Sequence, residues 1–117
     1  MMISNNLFSL EGKTALVTGG STGLGLMATA GLAAAGAKVF IVSRKLENCE
    51  KAANKINNCN FKGQVFPFKG DLSSEAGISK IVDELHTRNS KLHVLVNNAG
   101  RTWGSKFESF PYDAWEK

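Results

Sequence analysis

Long apolar runs are missing from this sequence. The longest stretch, around Leu32 to Ala37, falls far short of the roughly 18 residues that a membrane-spanning helix needs. The segment from Met1 to Leu10 lacks the basic start and the long apolar centre of a secretion signal. We therefore expect a soluble, cytoplasmic protein without a membrane partner.

Cysteine is also scarce. Cys49 and Cys59 are the only two, and no histidine stands at metal-ligand spacing from them. This pattern argues against a disulfide framework and against a zinc site. Both residues are therefore expected to be reduced thiols, and no bound metal is expected.

No run of basic residues accompanies the net charge of +4. The lysines and arginines are scattered, without the basic and aromatic stripe that is typical of nucleic-acid binding. The charge is therefore interpreted as a solvated surface, and no nucleic-acid partner is expected. With 117 residues, 43% of them hydrophobic and 21% charged, the composition is that of an ordinary globular protein with at most one domain.

Four short segments are predicted to be β-strands buried on both faces, because each is nearly continuous in apolar residues. They are Lys13 to Thr18, Lys38 to Val42, Val65 to Lys69 and Leu92 to Val96. Pro67 cannot donate a hydrogen bond to a β-ladder, so the third strand is expected at an edge of the sheet.

Between the strands, apolar residues recur at the spacing of helices. The three sets are Ala28, Leu32 and Ala35; Leu46, Cys49, Ala53 and Ile56; and Ile78, Ile81, Val82 and Leu85. Gly36 is expected to end the first helix, and Ser73 or Ser74 to cap the third. The alternation of strands and helices predicts an α/β fold, the N-terminal half of a doubly wound Rossmann fold whose parallel strands have the order 3-2-1-4.

After Gly100 the sequence becomes polar and aromatic. Pro111 to Lys117 is predicted to form the first turns of a helix. No linker or second domain is visible, so we expect a single, incomplete Rossmann domain over residues 1–117.

The stretch from Thr18 to Gly25 reads T-G-G-S-T-G-L-G and lies where the first strand turns into the first helix. A helix start offers unpaired N–H groups and a positive dipole end, and glycines let the backbone approach a pyrophosphate. Gly19 is predicted to make the tight turn, Gly23 to approach the phosphate, and Gly25 to allow close packing of helix on strand. The alternative is a turn with packing glycines and no ligand.

This T-G-x-x-x-G-x-G spacing resembles the fingerprint of the classical short-chain dehydrogenase/reductase family. Two further segments are similar to that family: Asp71-Leu72 after the third strand, and Asn97-Asn98-Ala99-Gly100 after the fourth. The resemblance implies an oxidoreductase that transfers hydride between a nicotinamide cofactor and a carbonyl or alcohol, and full-length members that form homo-oligomers. Within the family, Asn98 to Gly104 looks most like the 3-oxoacyl-carrier-protein reductases of the rhamnolipid-synthesis type.

The resemblance also implies roles for individual residues. Asp71 would accept a hydrogen bond from the adenine amino group, and Leu72 would pack beside the adenine. Asn98, Ala99 and Gly100 would line the cofactor near its ribose and nicotinamide. Asp71 could instead be only a turn residue ahead of a helix, and Asn98 could act as much by bracing neighbouring strands.

The end of the second strand distinguishes the two nicotinamide cofactors, because an acid there pairs with the ribose hydroxyls and repels a 2′-phosphate. Val42 is followed by Ser43, Arg44 and Lys45, without a carboxylate. Arg44 offers a planar fork of donors suited to phosphate, and Ser43 can add a hydroxyl. The alternative is that Arg44 and Lys45 form a solvated pair at a helix start, where cations are unfavourable. NADP(H) is the predicted cofactor, and the complete predicted binding set is Gly19, Ser21, Thr22, Gly23, Leu24, Gly25, Ser43, Arg44, Asp71, Leu72, Asn98, Ala99 and Gly100.

The catalytic residues of the family are a Ser, a Tyr-x-x-x-Lys pair and an Asn, and none of them is identifiable in this sequence. The only tyrosine is Tyr112, and Glu116 stands four positions after it, with Lys117 one place later. No catalytic residue is therefore assigned, and this chain, a fragment or truncated product, is expected to be inactive alone. Two other interpretations are open: a non-catalytic dinucleotide-binding module, and a product without function.

The other aromatic residues and the histidines are expected to be structural. Tyr112 is interpreted as a packing residue. The cluster of Trp103, Phe107, Phe110 and Trp115 either borders a substrate cleft or, as we favour, forms a helix packing face. His86 is placed in the last turn of the third helix, where a cation suits the dipole, and His93 within the fourth strand.

Overall fold

The structure, a computed structural model, describes residues 6–88, 91–100 and 104–115. In chain order the elements are β1 (Thr14–Thr18), α1 (Gly23–Ala34), β2 (Lys38–Ser43), α2 (Leu46–Asn57), β3 (Gln64–Lys69), α3 (Glu75–Arg88) and β4 (Val94–Val96), followed by 3₁₀ helices at Phe107–Ser109 and Tyr112–Ala114. Within these ranges, none of the helices combines the length and the apolar character that a membrane crossing requires.

The four strands form one parallel sheet of order β3-β2-β1-β4. This confirms the predicted α/β arrangement with strand order 3-2-1-4, and it places Pro67 in an edge strand as predicted. The register sets Leu16 of β1 between Phe40 of β2 and Leu95 of β4. Because all the strands are parallel, their carboxyl ends lie at the same end of the sheet.

Two apolar layers enclose the central strands. On one face, Val17 and Ile41 pack in a cluster that includes the fully buried Cys49 of α2. On the other face, Phe40 packs with Ile81 of α3. Because both of its faces are covered, β1 is buried along its whole length.

Gly36 closes the first helix, as predicted, two residues after α1 ends at Ala34. The Gly36 N–H donates to the Ala33 carbonyl and the Ala37 N–H donates to the Leu32 carbonyl, both at 3.0 Å. This Schellman pattern needs the left-handed backbone that Gly36 adopts, with φ of 105°. A Cβ at this position would also stand 3.2 Å from the backbone N of Glu11, closer than ordinary van der Waals contact, so a side chain here would crowd the loop before β1 as well.

The outer edge of β3 is closed by side chains. The Asn57 Nδ2 donates to the Val65 carbonyl at 3.0 Å, and the Val65 N–H donates to the Asn57 Oδ1 at 2.8 Å. Pro67 has no N–H, and its carbonyl accepts a hydrogen bond from Nη1 of Arg88 at 3.4 Å. The Arg88 guanidinium also lies 5.6 Å from the ring centre of Phe68. At Val65 and Pro67, the backbone groups that a further strand would need are occupied or missing.

The opposite edge is formed by β4, which is shorter than predicted. The predicted strand began at Leu92 and contained His93, whereas β4 begins at Val94. The cause is the His93 side chain: its Nδ1 accepts the Thr14 N–H at 3.0 Å, where a ladder would use a backbone carbonyl. The His93 N–H still donates to the Thr14 carbonyl at 2.9 Å. His93 is therefore structural, as expected, but as a bridge that precedes the strand.

The apolar stripe of α3 is only partly buried. Ile81 is buried and Leu85 packs beside it, but Ile78 and Val82 are 45% and 44% exposed. The helix contacts the sheet over the aromatic side of β2 and β3, so its full stripe is not covered. As predicted, a serine caps this helix: Ser74 Oγ accepts the Gly77 N–H at 3.0 Å.

The prediction of a helix over Pro111 to Lys117 is wrong within the described residues. A 3₁₀ helix occupies Tyr112–Ala114, and residues 116 and 117 lie outside the described ranges. Tyr112 is 75% exposed, so it is not the packing residue that we expected. A short helix needs tertiary packing to persist. Here two local backbone bonds hold the turn: the Ala114 N–H donates to the Pro111 carbonyl at 3.1 Å, and the Trp115 N–H donates to the Tyr112 carbonyl at 2.9 Å.

Candidate functional site

A cleft of about 630 Å³ opens at the carboxyl ends of the strands. Residues at the end of β2 and in the segments after all four strands line it: Gly19, Val42, Ser43, Arg44, Gly70, Asp71, Leu72, Ser73, Ala99 and Gly100. Seven of these ten residues belong to the predicted binding set, and Val42, Gly70 and Ser73 do not. The other predicted residues, Ser21 to Gly25 and Asn98, lie outside this lining. Ligands of doubly wound sheets bind in the crevice at this end of the strands.

The glycine turn after β1 is tied to the end of β2. Gly19 has φ of 65°, and its N–H donates to the Val42 carbonyl at 3.0 Å. A Cβ at Gly19 would stand 3.1 Å from Nδ2 of Asn98. Both observations are those of the tight turn predicted at this position.

The start of α1 has no cap of its own. The Thr22 side chain makes no capping hydrogen bond, and the first turn contains no acidic residue. Gly23 has φ of 54°, and no atom lies within 4 Å of the place where its Cβ would stand. Because the first N–H groups of a helix have no intrahelical partners, this end offers donors and a positive dipole to open space. An anion would satisfy both.

Two other glycines of the turn serve packing. A Cβ at Gly25 would overlap the carbonyl oxygen of Gly19, which agrees with the close packing predicted for this residue. Gly20 was not in the predicted set, yet a Cβ there would stand 2.6 Å from Cγ2 of Ile41 in β2. The Thr29 hydroxyl donates to the Gly25 carbonyl at 2.8 Å in the same crowded place. The consecutive glycines were the available signal, because a tight turn alone needs only one.

Thr18 and Asn98 join the ends of β1 and β4. The Asn98 side-chain Nδ2 donates to the carbonyls of Thr18 and Gly19 at 3.3 and 3.2 Å. The Thr18 Oγ1 accepts the N–H groups of Asn98 and Ala99, both at 3.1 Å, and donates to the Val96 carbonyl at 3.3 Å. Asn98 therefore braces neighbouring strands, as the alternative interpretation held. Thr18, a residue of the glycine motif to which the sequence analysis gave no role, is the centre of this brace.

Cationic side chains surround the start of α2. Arg44 and Lys45 are exposed, and within the described ranges neither side chain makes a hydrogen bond or an ion pair. The Ser43 hydroxyl donates to the Lys45 carbonyl at 3.1 Å and accepts the Cys49 thiol at 3.2 Å. Glu47, in the first turn of α2, pairs with Lys51 at 3.1 Å. Cations at a helix N-terminus are unfavourable unless an anion binds there.

The Asp71 loop connects β3 to α3. One carboxylate oxygen of Asp71 accepts the Ser73 N–H at 2.9 Å, so Asp71 does form a turn ahead of a helix. A Cβ at Gly77 would overlap the Asp71 carbonyl oxygen, so α3 begins in close contact with this loop. Leu72 is 38% exposed and gives the cleft an apolar surface.

Among the described residues after Gly100, the aromatic ones form neither the cleft lining nor a helix packing face. Phe107 is 94% exposed, and the rings of Phe110 and Trp115 contact each other with centres 5.2 Å apart. Trp103 lies outside the described residues. His86 stands in the last turn of α3, as expected.

The sequence matches known oxidoreductases. The profile of the short chain dehydrogenase family matches residues 13–117. The rhamnolipids biosynthesis 3-oxoacyl-[acyl-carrier-protein] reductase of Pseudomonas aeruginosa is 46% identical over 110 residues, which cover 94% of this chain and 42% of that protein. A short-chain dehydrogenase/reductase of Byssochlamys spectabilis, VdtF, is 37% identical over 99 residues, which cover 85% of this chain and 31% of that protein.

Solved structures share the fold. The Pseudomonas aeruginosa RhlG/NADP active-site complex has a TM-score of 0.85 and 44% identity, over 97% of this chain and 43% of that one. L-Sorbose reductase from Gluconobacter frateurii, complexed with NADPH and L-sorbose, has a TM-score of 0.83 and 27% identity, over 93% of this chain and 41% of that one. The chain thus spans about two fifths of the length of such relatives.

Proposed function

This chain belongs to the short chain dehydrogenase family, and on that premise we propose that it binds NADP(H) in the cleft at the carboxyl ends of its strands. It would serve as the nucleotide-binding part of an oxidoreductase that acts on a carbonyl or alcohol substrate. The bound nicotinamide would supply or accept the hydride, and the protein would supply binding and orientation. The observation that carries the proposal is the uncapped start of α1, which opens beside a cleft that Arg44 lines.

The start of α1 fits a pyrophosphate. Gly23 leaves space where a side chain would stand, and the first turn carries no acid that would repel phosphate. The brace between Thr18 and Asn98 fixes the turn from the side of β4. The donors are therefore held in place before the anion arrives, which lowers the entropic cost of binding. Contacts from Ser21, Thr22 and Leu24 are part of this proposal.

Arg44 favours NADP(H) over NAD(H). Its side chain is exposed at the end of β2, lines the cleft, and has no protein partner within the described residues. A guanidinium can give a phosphate two parallel hydrogen bonds. The complexes of the relatives with NADP and NADPH support the same choice. The Ser43 proton already goes to the Lys45 carbonyl, so Ser43 is the weaker candidate for a direct contact.

The other end of the cleft would hold the adenine. The Asp71 carboxylate is fixed by the Ser73 N–H, and it would accept a hydrogen bond from the adenine amino group. Leu72 offers an apolar surface for the base. Ala99 and Gly100, which line the cleft from β4, would face the ribose and nicotinamide.

The relatives support a proposal for the substrate class. The 46% identity with a 3-oxoacyl-[acyl-carrier-protein] reductase supports a 3-oxoacyl thioester as the substrate. For the protein that contains the catalytic residues, we also propose homo-oligomeric assembly. This chain has no Tyr-x-x-x-Lys pair. Because the proton-donating tyrosine of the family's catalytic pair is not identifiable here, we propose that the chain alone binds cofactor without turnover. The same absence favours the second candidate function, a non-catalytic dinucleotide-binding module.

Calorimetric titration of the chain with NADPH and NADH tests the proposal. Arg44→Ala should weaken NADPH binding by about 1.5–3 kcal/mol, the usual value for a charged hydrogen bond, and leave NADH nearly unchanged. Lys55→Ala removes an exposed cation from the other end of α2 and is the matched control. Equal losses for both cofactors in Arg44→Ala would refute the assignment of Arg44.

Consumption of NADPH in the presence of a 3-oxoacyl thioester separates the two candidate functions. We expect binding without turnover from this chain. Measurable turnover would show that its own residues suffice for catalysis, and it would contradict both the inactivity of the chain and the non-catalytic alternative.

A further inference from the structure

A chain of hydrogen bonds runs through the loop between β2 and α2, and the proposed function does not use it. The Cys49 thiol donates to the Ser43 Oγ at 3.2 Å, and that hydroxyl donates to the Lys45 carbonyl at 3.1 Å. The same carbonyl accepts the backbone N–H groups of Asn48 and Cys49 at 3.2 and 3.4 Å. The Ser43 hydroxyl thus connects the end of β2, the start of α2 and a side chain from the core.

Arg44 stands between the two ends of this chain of hydrogen bonds. On one side, the Ser43 carbonyl accepts the Gly70 N–H at 3.0 Å, and Ser43 pairs with Lys69 of β3. On the other side, Lys45 is the N-cap residue of α2. The backbone before and after Arg44 is therefore fixed to the sheet and to the helix, and this backbone sets where the free guanidinium can reach.

Cys49 determines the direction in which the Ser43 hydroxyl donates its hydrogen bond. It is fully buried, in the cluster between α2 and the sheet. While the thiol donates to a lone pair of the Ser43 Oγ, the hydroxyl proton of Ser43 has to point elsewhere, and it points to the Lys45 carbonyl. Without that donor, the hydroxyl can rotate and its bond to the loop is no longer enforced.

We propose that Cys49 and Ser43 are positioning residues for Arg44 and thereby set the preference for NADPH over NADH. The inference rests on the proposed function, in which Arg44 binds the 2′-phosphate. A looser loop lets the guanidinium sample more directions, so binding a phosphate costs more entropy. NADH lacks that phosphate, so its binding stays the same.

Two substitutions at one position separate the hydrogen bond from packing. Cys49→Val removes the donor and keeps an apolar side chain of similar size, whereas Cys49→Ser keeps a donor. Titration of each full chain with NADPH and NADH gives the ratio of the two dissociation constants. Cys49→Val should lower the preference for NADPH roughly three- to tenfold, the size of one neutral hydrogen bond, and Cys49→Ser should retain it. In an Arg44→Ala background, Cys49→Val should change nothing further.

The outcomes are distinguishable. A parent chain that binds neither cofactor, or binds both equally, contradicts the proposed function itself. A parent chain that prefers NADPH, with Cys49→Val equally selective or weakened equally for both cofactors, overturns only the positioning role. Ser43→Ala breaks the same bonds outside the core and decides the matter if Cys49→Val does not fold. Its preference for NADPH should also fall, and an unchanged preference, or a loss that persists in the Arg44→Ala background, overturns the inference.

Discussion

The sheet has two edges, and they are built differently. Along β3, the Asn57 amide takes both outward backbone groups of Val65, Pro67 removes the next N–H, and Arg88 binds the Pro67 carbonyl. Along β4, the exposed residue is Leu95, an apolar side chain that is 54% accessible. No charged residue or proline occurs within β4, and no described element lies beyond it.

The difference concerns how an edge avoids pairing with other chains. Natural edge strands carry charges, prolines or side chains that occupy the free backbone groups. β3 has all three kinds of protection, since Lys69 ends it. β4 has the sequence of a strand from a sheet interior. It is therefore the edge at which a further strand can add, whether that strand belongs to a longer form of this protein or to another chain.

The largest expected effect is self-association of the 117-residue chain through β4. The Val96 carbonyl accepts a hydrogen bond from the Thr18 Oγ1, so Val94 and Val96 turn their backbone groups toward β1. The N–H of Leu95, between them, points away from the sheet. Leu95→Pro therefore gives β4 the protection that Pro67 gives β3. We expect the parent to elute as a dimer or larger species in size-exclusion chromatography, and Leu95→Pro to shift toward monomer.

A charged variant serves as the second test of this edge. Leu95→Lys should also shift the chain toward monomer, because it places a charge on the exposed face of β4. Val82→Lys makes the same kind of change at a similarly exposed position of α3 and is the control. A monomeric parent, or an equal effect of all three substitutions, would mean that β4 is not the associating edge.

A smaller effect is expected where the β3 edge is opened. Asn57→Ala leaves the N–H and carbonyl of Val65, a residue that is only 2% exposed, without their amide partner. Unsatisfied buried backbone groups should cost about 2–3 kcal/mol in the free energy of unfolding. Urea denaturation followed by circular dichroism measures this loss. Asn58→Ala, at the exposed C-cap next door, should cost far less, and equal costs would show that the Asn57 pairing is not what protects β3.

The sequence predicted the order of the sheet and the position of Pro67, because buried parallel strands are continuous in apolar residues and proline excludes the interior. It did not predict the roles of Asn57, Arg88 and Thr18. Each of these side chains acts on a backbone group that is distant in the sequence or lies in another element, and only the folded chain shows which groups are near.

Periodicity found only part of the buried face where a helix is apolar on every side. In α1 the buried residues are Gly25, Thr29 and Ala33. The residues of the expected stripe, Ala28, Leu32 and Ala35, are partly buried, and Leu32 packs against the core. The glycine turn, by contrast, was predicted well, because positive φ and absent Cβ atoms are local requirements that a motif records. The residues of the cleft were mostly found, but their contacts with a cofactor are still predictions.

A smaller loss in the free energy of unfolding than that of Asn57→Ala is expected at the junction between β1 and β4. His93→Ala removes the acceptor of the Thr14 N–H, one neutral hydrogen bond worth about 1 kcal/mol in the free energy of unfolding. His93→Asn offers a carbonyl oxygen in place of the ring nitrogen and should recover part of the loss in urea denaturation. Identical stabilities of His93→Ala and the parent would show that the imidazole bridge does not hold β4.

The smallest effect is expected for Arg88→Gln, and the reason lies in what protects β3. Arg88 makes an ion pair with Glu84 at 2.6 Å, but both side chains are about two fifths exposed, at 38% and 42%, so solvent screens the pair. Its bond to the Pro67 carbonyl is long, at 3.4 Å, and water can replace it. We therefore expect a change of at most about 0.5 kcal/mol in urea denaturation. Pro67→Val, in contrast, restores an outward N–H, so it should increase association in size-exclusion chromatography while changing the free energy of unfolding little. If Arg88→Gln raised association as much as Pro67→Val, the guanidinium rather than the missing N–H would be the main protection of β3, and the contrast between the two edges would depend on charge instead of on free backbone groups.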